Sequence, residues 1–245
     1  MRLRNKVAIV TGGASGIGKA MCAALRKEGA RVAVADIDIK KAEEVAAEIG
    51  APADAIGVHV DVTKSASADQ MAKEVEKKFG RIDILVNNVG VRITKPFLEH
   101  TDADWNTMMS INLAGPFFCS RAVVPYLRKN GAGRIINTAS IASFVGRPNR
   151  VAYVSAKSGL LGMTRAMAID LGPMGITVNA IAPGSINSPM NAAQASDADN
   201  DWGKETPMGR WGRAEDIANA IKIAPNREGF LSVNRECETQ RVGNL

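Results

Sequence analysis

Short aliphatic runs alternate along this chain with longer stretches of helical periodicity, and that alternation restricts the fold more than any other feature. The runs cover residues 6–11 (KVAIVT), 32–35, 55–60, 82–86, 133–139 and 176–181. Helical patterns fill 16–28, 38–49, 65–79, 102 to about 128, and 151–171, with Gly29 and Gly50 closing two of them. Runs that are apolar on both faces read as strands buried on both sides, and strands separated by helices pair in parallel through βαβ crossovers. The expected fold is α/β, a doubly wound parallel sheet with helices on both faces. No linker, low-complexity tract or further repeat divides the 245 residues, so a single domain over 1–245 is expected. Pro116 and Pro125 fall inside the helical stretch that begins at 102, which predicts a kink.

The turn after the first run reads Thr11-Gly12-Gly13-Ala14-Ser15-Gly16-Ile17-Gly18. Glycines spaced as Gly12, Gly16 and Gly18 let a backbone turn tightly against a pyrophosphate whose charge rests on the next helix N-terminus. Strand, glycine loop and helix in this order predict a Rossmann-type dinucleotide site. Asp36 closes the second run, where a carboxylate accepts hydrogen bonds from ribose hydroxyls and repels the 2′-phosphate of NADP. Ser15 adds no positive charge, and Lys40 and Lys41 read as a solvated helix face, so the expected cofactor is NAD rather than NADP. Asp61, followed by Val62, has two equal readings: it holds the adenine edge, or it caps the turn into the next helix. Asn87-Asn88-Val89-Gly90 ends the fourth run and would lie beside the cofactor.

Ser140 follows the fifth run, at a strand carboxyl end, which is where open parallel sheets bind ligands. Tyr153 and Lys157 stand four apart in a helical pattern and so share one face. A tyrosine titrates at about 10, too high for a base near neutrality, and an ammonium one turn away favours the phenolate. A hydroxyl, a tunable phenol and a fixed cation together can polarise a carbonyl and give it a proton.

Composition narrows the partners. The net charge of +6 is scattered, without a Lys/Arg block of the nucleic-acid type. Cys22, Cys119 and Cys237 are far apart and the only histidines are His59 and His100, so no metal site is expected. The first run begins at residue 6 and no apolar run nears membrane-spanning length, so neither signal peptide nor membrane is expected, and the location is expected to be cytoplasmic.

These residues resemble the single-domain branch of the short-chain dehydrogenase/reductases, over Lys6 to about Ala224. The family's T-G-x-x-x-G-x-G matches Thr11 to Gly18, and its N-N-A-G matches Asn87 to Gly90 with Val89 for alanine. Its helix asparagine matches Asn112, and its serine and Y-x-x-x-K match Ser140, Tyr153 and Lys157. Its proline-glycine matches Pro183-Gly184, and Ser188 stands for its following threonine. Residues 207–218 look like the helix after the family's lid. The resemblance implies Tyr153 as general acid/base, and Lys157 as the residue that lowers its pKa and binds the nicotinamide ribose. It implies Ser140 as the group orienting the substrate oxygen, and Asn112 as a local helix disturbance holding a relay water. It also implies cofactor contacts from Gly12, Ser15, Gly16, Ile17, Gly18, Asp36, Asp61, Val62, Asn88, Val89, Gly90, Pro183, Gly184, Ile186 and Ser188.

The implied reaction is NAD-dependent hydride transfer between a secondary alcohol or ketone, as small-molecule substrate, and nicotinamide. A 3-oxoacyl-thioester reductase of the acyl-carrier-protein type is an alternative, suggested by lid length but opposed by Asp36, since that group usually takes NADPH. A non-catalytic NAD-binding regulator is a second, opposed by the complete Asn112, Ser140, Tyr153 and Lys157 set. Residues 91–97, 141–150 and the lid 185–206 should wall the pocket; Arg92, Arg147 and Arg150 are the charged candidates in the first two of these segments, the alternative being that they face solvent. A homodimer or homotetramer is expected through the helix 151–171, whose Ala156, Gly159, Gly162, Met163, Ala166 and Met167 suit close contact. The segment 225–245 is atypical. Arg235, Glu236, Glu238 and Arg241 do not suit a buried last strand, so a loosely held tail is expected.

Overall fold

The structure, a computed structural model, describes residues 1–192, 202–204 and 206–221. The atypical tail and the expected last strand lie outside the described residues, as does much of the expected lid. Six strands form one parallel sheet: β1 (Val7–Thr11), β2 (Arg31–Asp36), β3 (Ala55–His59), β4 (Ile84–Asn87), β5 (Gly133–Thr138) and β6 (Ile176–Ile181). Their order is β3-β2-β1-β4-β5-β6, with Ile9 opposite Ala33 on one side and Leu85 on the other. The direction of strand addition reverses between β1 and β4, which opens a crevice at the carboxyl ends of those strands.

Alternation along the strands divides the core in two. Ala8, Val10, Val32 and Val34 face the helices α1 (Gly16–Lys27) and α2 (Ile39–Ile49). Val7, Ile9, Ala33 and Ala35 face α3 (Ser65–Phe79) on the opposite side. That second face is completed by α5 (Gly115–Lys129) and α6 (Val151–Leu171), while α4 (Asp102–Met109) packs on α6 and buries Met108 against Ala152 and Tyr153. A last described helix, α7 (Ala214–Ile221), returns to α1 and buries Ile217, Ala218 and Ile221 there.

Most boundaries shift by a single residue from the sequence expectation, and two larger differences have a physical cause. The fourth strand starts at Ile84 rather than Ile82, because Asp83 turns its buried carboxylate toward the start of β1. That carboxylate accepts from the Val7 N–H at 2.9 Å, from Arg81 Nε at 2.8 Å and from Lys6 Nζ at 3.2 Å. The long helix from 102 is not a single helix kinked at its prolines. A wide π turn over Ser110–Ala114 separates α4 from α5. Pro116 stands four residues after Asn112 and has no N–H to return to the Asn112 carbonyl, so regular α bonding fails at that point. Pro125 sits inside α5.

Candidate active site

A cavity of about 1110 Å³ opens at the carboxyl ends of the strands. At one end lies the glycine loop between β1 and α1. Gly12 and Gly16 take the left-handed region at φ 65° and 50°, which a side chain rarely adopts. Gly18 does not line the cavity; a Cβ there would overlap the Gly12 carbonyl oxygen, so this glycine serves loop-to-helix packing. Gly12, Ser15, Gly16 and Ile17 do line it. Asn88 ties the loop down from β4: its Nδ2 donates to the carbonyls of Thr11 and Gly12, each at 3.3 Å, and its own N–H donates to Thr11 Oγ1 at 3.1 Å. Open glycine backbone at a helix N-terminus, facing a large cavity, fits a pyrophosphate.

Asp36 borders the same end. Its carboxylate accepts from the Ala14 N–H at 3.1 Å and the Asp38 N–H at 3.2 Å, which fixes it beside the loop with acceptor capacity left for hydroxyl donors. Lys41 pairs with Asp38 at 3.2 Å, on the solvated face expected for it. Asp61 caps the turn into the next helix. It accepts from Thr63 Oγ1 at 2.6 Å and the Thr63 N–H at 3.0 Å, and pairs with Lys64 at 3.0 Å. It still borders the cavity, with Val62.

Midway, Ser140, Tyr153 and Lys157 converge. The Ser140 hydroxyl acts on the Tyr153 phenol and favours its ionised form. Burial raises the Tyr153 phenol above its usual 10, opposed by the Ser140 hydroxyl and the charges of Arg92 and Arg150. The Lys157 ammonium is turned to the Thr138 carbonyl at 2.7 Å, and burial brings its own pKa down to about 8. Asn112 is fully buried and does not line the cavity. Its amide closes on the Val91 backbone, accepting from the N–H at 3.1 Å and donating to the carbonyl at 3.0 Å. Gly90 keeps space between them, since a Cβ there would meet Asn112 Oδ1 and Lys157 Nζ. Val89, Gly90, Pro183, Gly184, Ile186 and Ser188 complete the wall.

The arginines take the first of their two readings. Arg92, Arg147 and Arg150 are half-buried and line the cavity. Sequence reasoning missed Thr138 and Ile37, and placed Trp202 only as one residue of the segment 185–206 expected to wall the pocket. Thr138 acts through its carbonyl, which any residue could supply, so the sequence carries no signal for it. Trp202 announces itself as a lone aromatic in a polar stretch, and Ile37 as an apolar residue placed just beyond a strand's closing acid; it is 66% exposed in the cavity mouth.

Comparison with known proteins bears on this geometry. The family model for short chain dehydrogenase matches residues 6–199. The chain is 39% identical over 234 residues to the (2S)-[(R)-hydroxy(phenyl)methyl]succinyl-CoA dehydrogenase subunit BbsD of Thauera aromatica, covering 95% of this chain and 94% of that protein. It is 36% identical to the 3-oxoacyl-[acyl-carrier-protein] reductase FabG of Thermotoga maritima, covering 93% of each. The crystal structure of a 3-ketoacyl-(acyl-carrier-protein) reductase from Brucella melitensis complexed with NADH superposes with a TM-score of 0.86 at 31% identity, over 94% of this chain and 97% of that one. The chain belongs to the short-chain dehydrogenase family and is an oxidoreductase of that family.

Proposed function

We propose that this oxidoreductase uses NAD to interconvert a secondary alcohol and its ketone. The observation that carries the reading is the union, in one cavity, of a dinucleotide cradle ending in Asp36 with Ser140, Tyr153 and Lys157. Bound nicotinamide would supply the hydride chemistry, and the cradle from Gly12 to Ile17 would hold its pyrophosphate. Ser140 orients the substrate oxygen, and Tyr153 gives that oxygen a proton in reduction or takes one in oxidation. Lys157 sets a cation behind the phenol and lies within reach of the nicotinamide ribose. Asn112 fixes the Val91 backbone through its side chain and leaves its carbonyl, with no Pro116 N–H to take it, for a water that relays protons.

A second reading is reduction of a 3-oxoacyl thioester. It draws on the names of the Thermotoga and Brucella relatives. The Asp36 carboxylate favours NADH in either case, because a 2′-phosphate beside it would be repelled. The test is oxidation of NADH and NADPH with simple ketones and with an acetoacetyl thioester, in the wild type and in Asp36→Ala. We expect NADH to be preferred and the preference to shrink at least tenfold in the variant. An unchanged ratio would place cofactor choice elsewhere. Turnover of the thioester alone would select the second reading.

A further inference from the structure

The hydroxyl and the phenol of the reacting centre belong to different elements. Ser140 stands just past the end of β5, whereas Tyr153 and Lys157 lie in the first turns of α6. Residues 144–150 between them form neither helix nor strand, and Phe144 and Val145 are exposed. The chain that links the two groups therefore does not itself fix their separation. Bonds across the gap, from the segment 138–143 to α6, have to do so.

Three such bonds meet at Lys157 and its neighbour. The Lys157 ammonium donates to the Thr138 carbonyl at 2.7 Å. Ser143 Oγ donates to the Lys157 main-chain carbonyl at 2.9 Å. Ser158 Oγ donates back to the Ser143 carbonyl at 3.2 Å. The same Ser143 Oγ accepts from the Ser140 N–H at 3.3 Å, closing the short 3-10 turn Ile141–Ser143. A hydroxyl has one proton and two lone pairs, so one oxygen serves both bonds, and a carbonyl inside a helix has a second lone pair to receive the donation. The turn is held from below as well: the Ile141 N–H donates to the Pro183 carbonyl at 3.0 Å, just past β6.

A serine needed only to close this turn would stop at the Ser140 N–H. Ser143 goes further, and its hydroxyl joins the backbone of Ser140 to the backbone of Lys157. We propose that Ser143 is a positioning residue for the reaction, setting the gap across which Ser140 and Tyr153 reach one substrate oxygen. The inference rests on the oxidoreductase reading. Tyr153 lies one helical turn before Lys157, so a shift of that turn carries the phenol with it. Both groups must stay within hydrogen-bond reach of the same oxygen, and a misplacement of about 1 Å costs on the order of a hundredfold in rate.

The test uses the full chain, its preferred nicotinamide, and whichever of the simple ketones or the acetoacetyl thioester the wild type reduces. Ser143→Ala should lower kcat about tenfold, while NADH affinity, read by fluorescence, stays within about twofold because the cofactor cradle lies at the other end of the cavity. Ser143→Thr, which keeps the hydroxyl, should recover most of that loss. Ser158→Ala removes a bond between the same turn and the same helix but leaves the Ser140–Ser143–Lys157 bridge intact, and should change kcat no more than about twofold. In a Ser140→Ala background the further loss from Ser143→Ala should shrink to about threefold or less, since residues that act through one another are not additive. A kcat unchanged in Ser143→Ala overturns the inference and leaves the oxidoreductase reading standing. Equal losses in Ser143→Ala and Ser158→Ala, an undiminished loss in the Ser140→Ala background, no recovery in Ser143→Thr, or an alanine variant that does not fold would each make Ser143 structural and overturn it too. Absence of wild-type turnover with every ketone and both nicotinamides would instead sink the oxidoreductase reading, and the inference with it.

Discussion

Tyr153 is 8% exposed and its phenol is held above 10, so in the protein alone it stores a proton rather than lacking one. That suits an acid that delivers a proton as the substrate oxygen becomes negative. Removing the hydroxyl in Tyr153→Phe should lower turnover by about a hundred- to ten-thousand-fold while leaving NADH affinity, read by fluorescence, within a few-fold. Near-normal turnover would unseat the assignment. The pH dependence has a definite sign. Lys157 loses its charge as pH rises through about 8, because burial disfavours the ammonium. On the proposed roles of Lys157 and Tyr153, ketone reduction should decline above about pH 8; a rate flat to pH 10 would contradict them. The four-residue spacing of Tyr153 and Lys157 was legible in the sequence, since helix geometry fixes which residues share a face. The partner of the lysine was not legible: its bond goes to a main-chain carbonyl, Thr138, and so leaves no trace in residue type. The direction of the tyrosine shift was also hidden, because burial outweighs the local charges and burial is a property of the whole site.

At the scale of elements, the alternation of apolar runs and helices announced the sheet, its parallel pairing and both helical layers. What it did not announce was where side chains override the period. Asp83 interrupts an apolar run, yet it is buried, as its hydrogen bonds to Val7, Arg81 and Lys6 clamp β4 to the start of β1. Burial raises its pKa, but the Arg81 bonds, the Val7 N–H and the two cations outweigh that and hold it below 3.8. A depressed carboxylate contributes stability that is complete above its unfolded value, near 4, and is lost as pH falls through the folded value. Asp83→Asn should therefore cost about 1–3 kcal/mol at pH 7, measured by urea unfolding, and the gap to wild type should close as the pH falls below about 4. A gap that persists undiminished at pH 3 would show that packing, not charge, explains the loss. The π turn was only half legible. Pro116 announced a defect in the helix, and the resemblance announced Asn112, but the one sits where it does because of the other. The missing N–H at Pro116 is what leaves the Asn112 carbonyl outside regular α bonding.

Over the whole molecule, the helix α6 raises the question of what its outer side meets. Its apolar residues are spread around the helix rather than confined to a stripe, and a helix of that kind is covered on more than one side. Part of the small-residue surface expected to meet a second copy is already used within the chain: Ala156 is buried, and Gly159 packs on Leu113, where a Cβ would come within 3.2 Å. What remains is the outer strip through Gly162, Ala166 and Ile169, the last 76% exposed, with Phe117 of α5 42% exposed. We expect this strip to pair with itself in a homo-oligomer, since a two-fold contact needs a self-complementary patch and close-packed small residues supply one. Gly162 gives a clean test, because nothing lies within 4 Å of a Cβ built there. Gly162→Arg should leave the protomer folded and change its stability by at most about 1 kcal/mol, as glycine is a poor helix former and its replacement favours the helix. It should nevertheless shift the sedimentation coefficient at micromolar concentration from that of an assembly to that of a monomer. If the wild type already sediments as a monomer, or if the arginine variant assembles as the wild type does, the strip is not the contact and the exposed Ile169 belongs to an ordinary solvated surface.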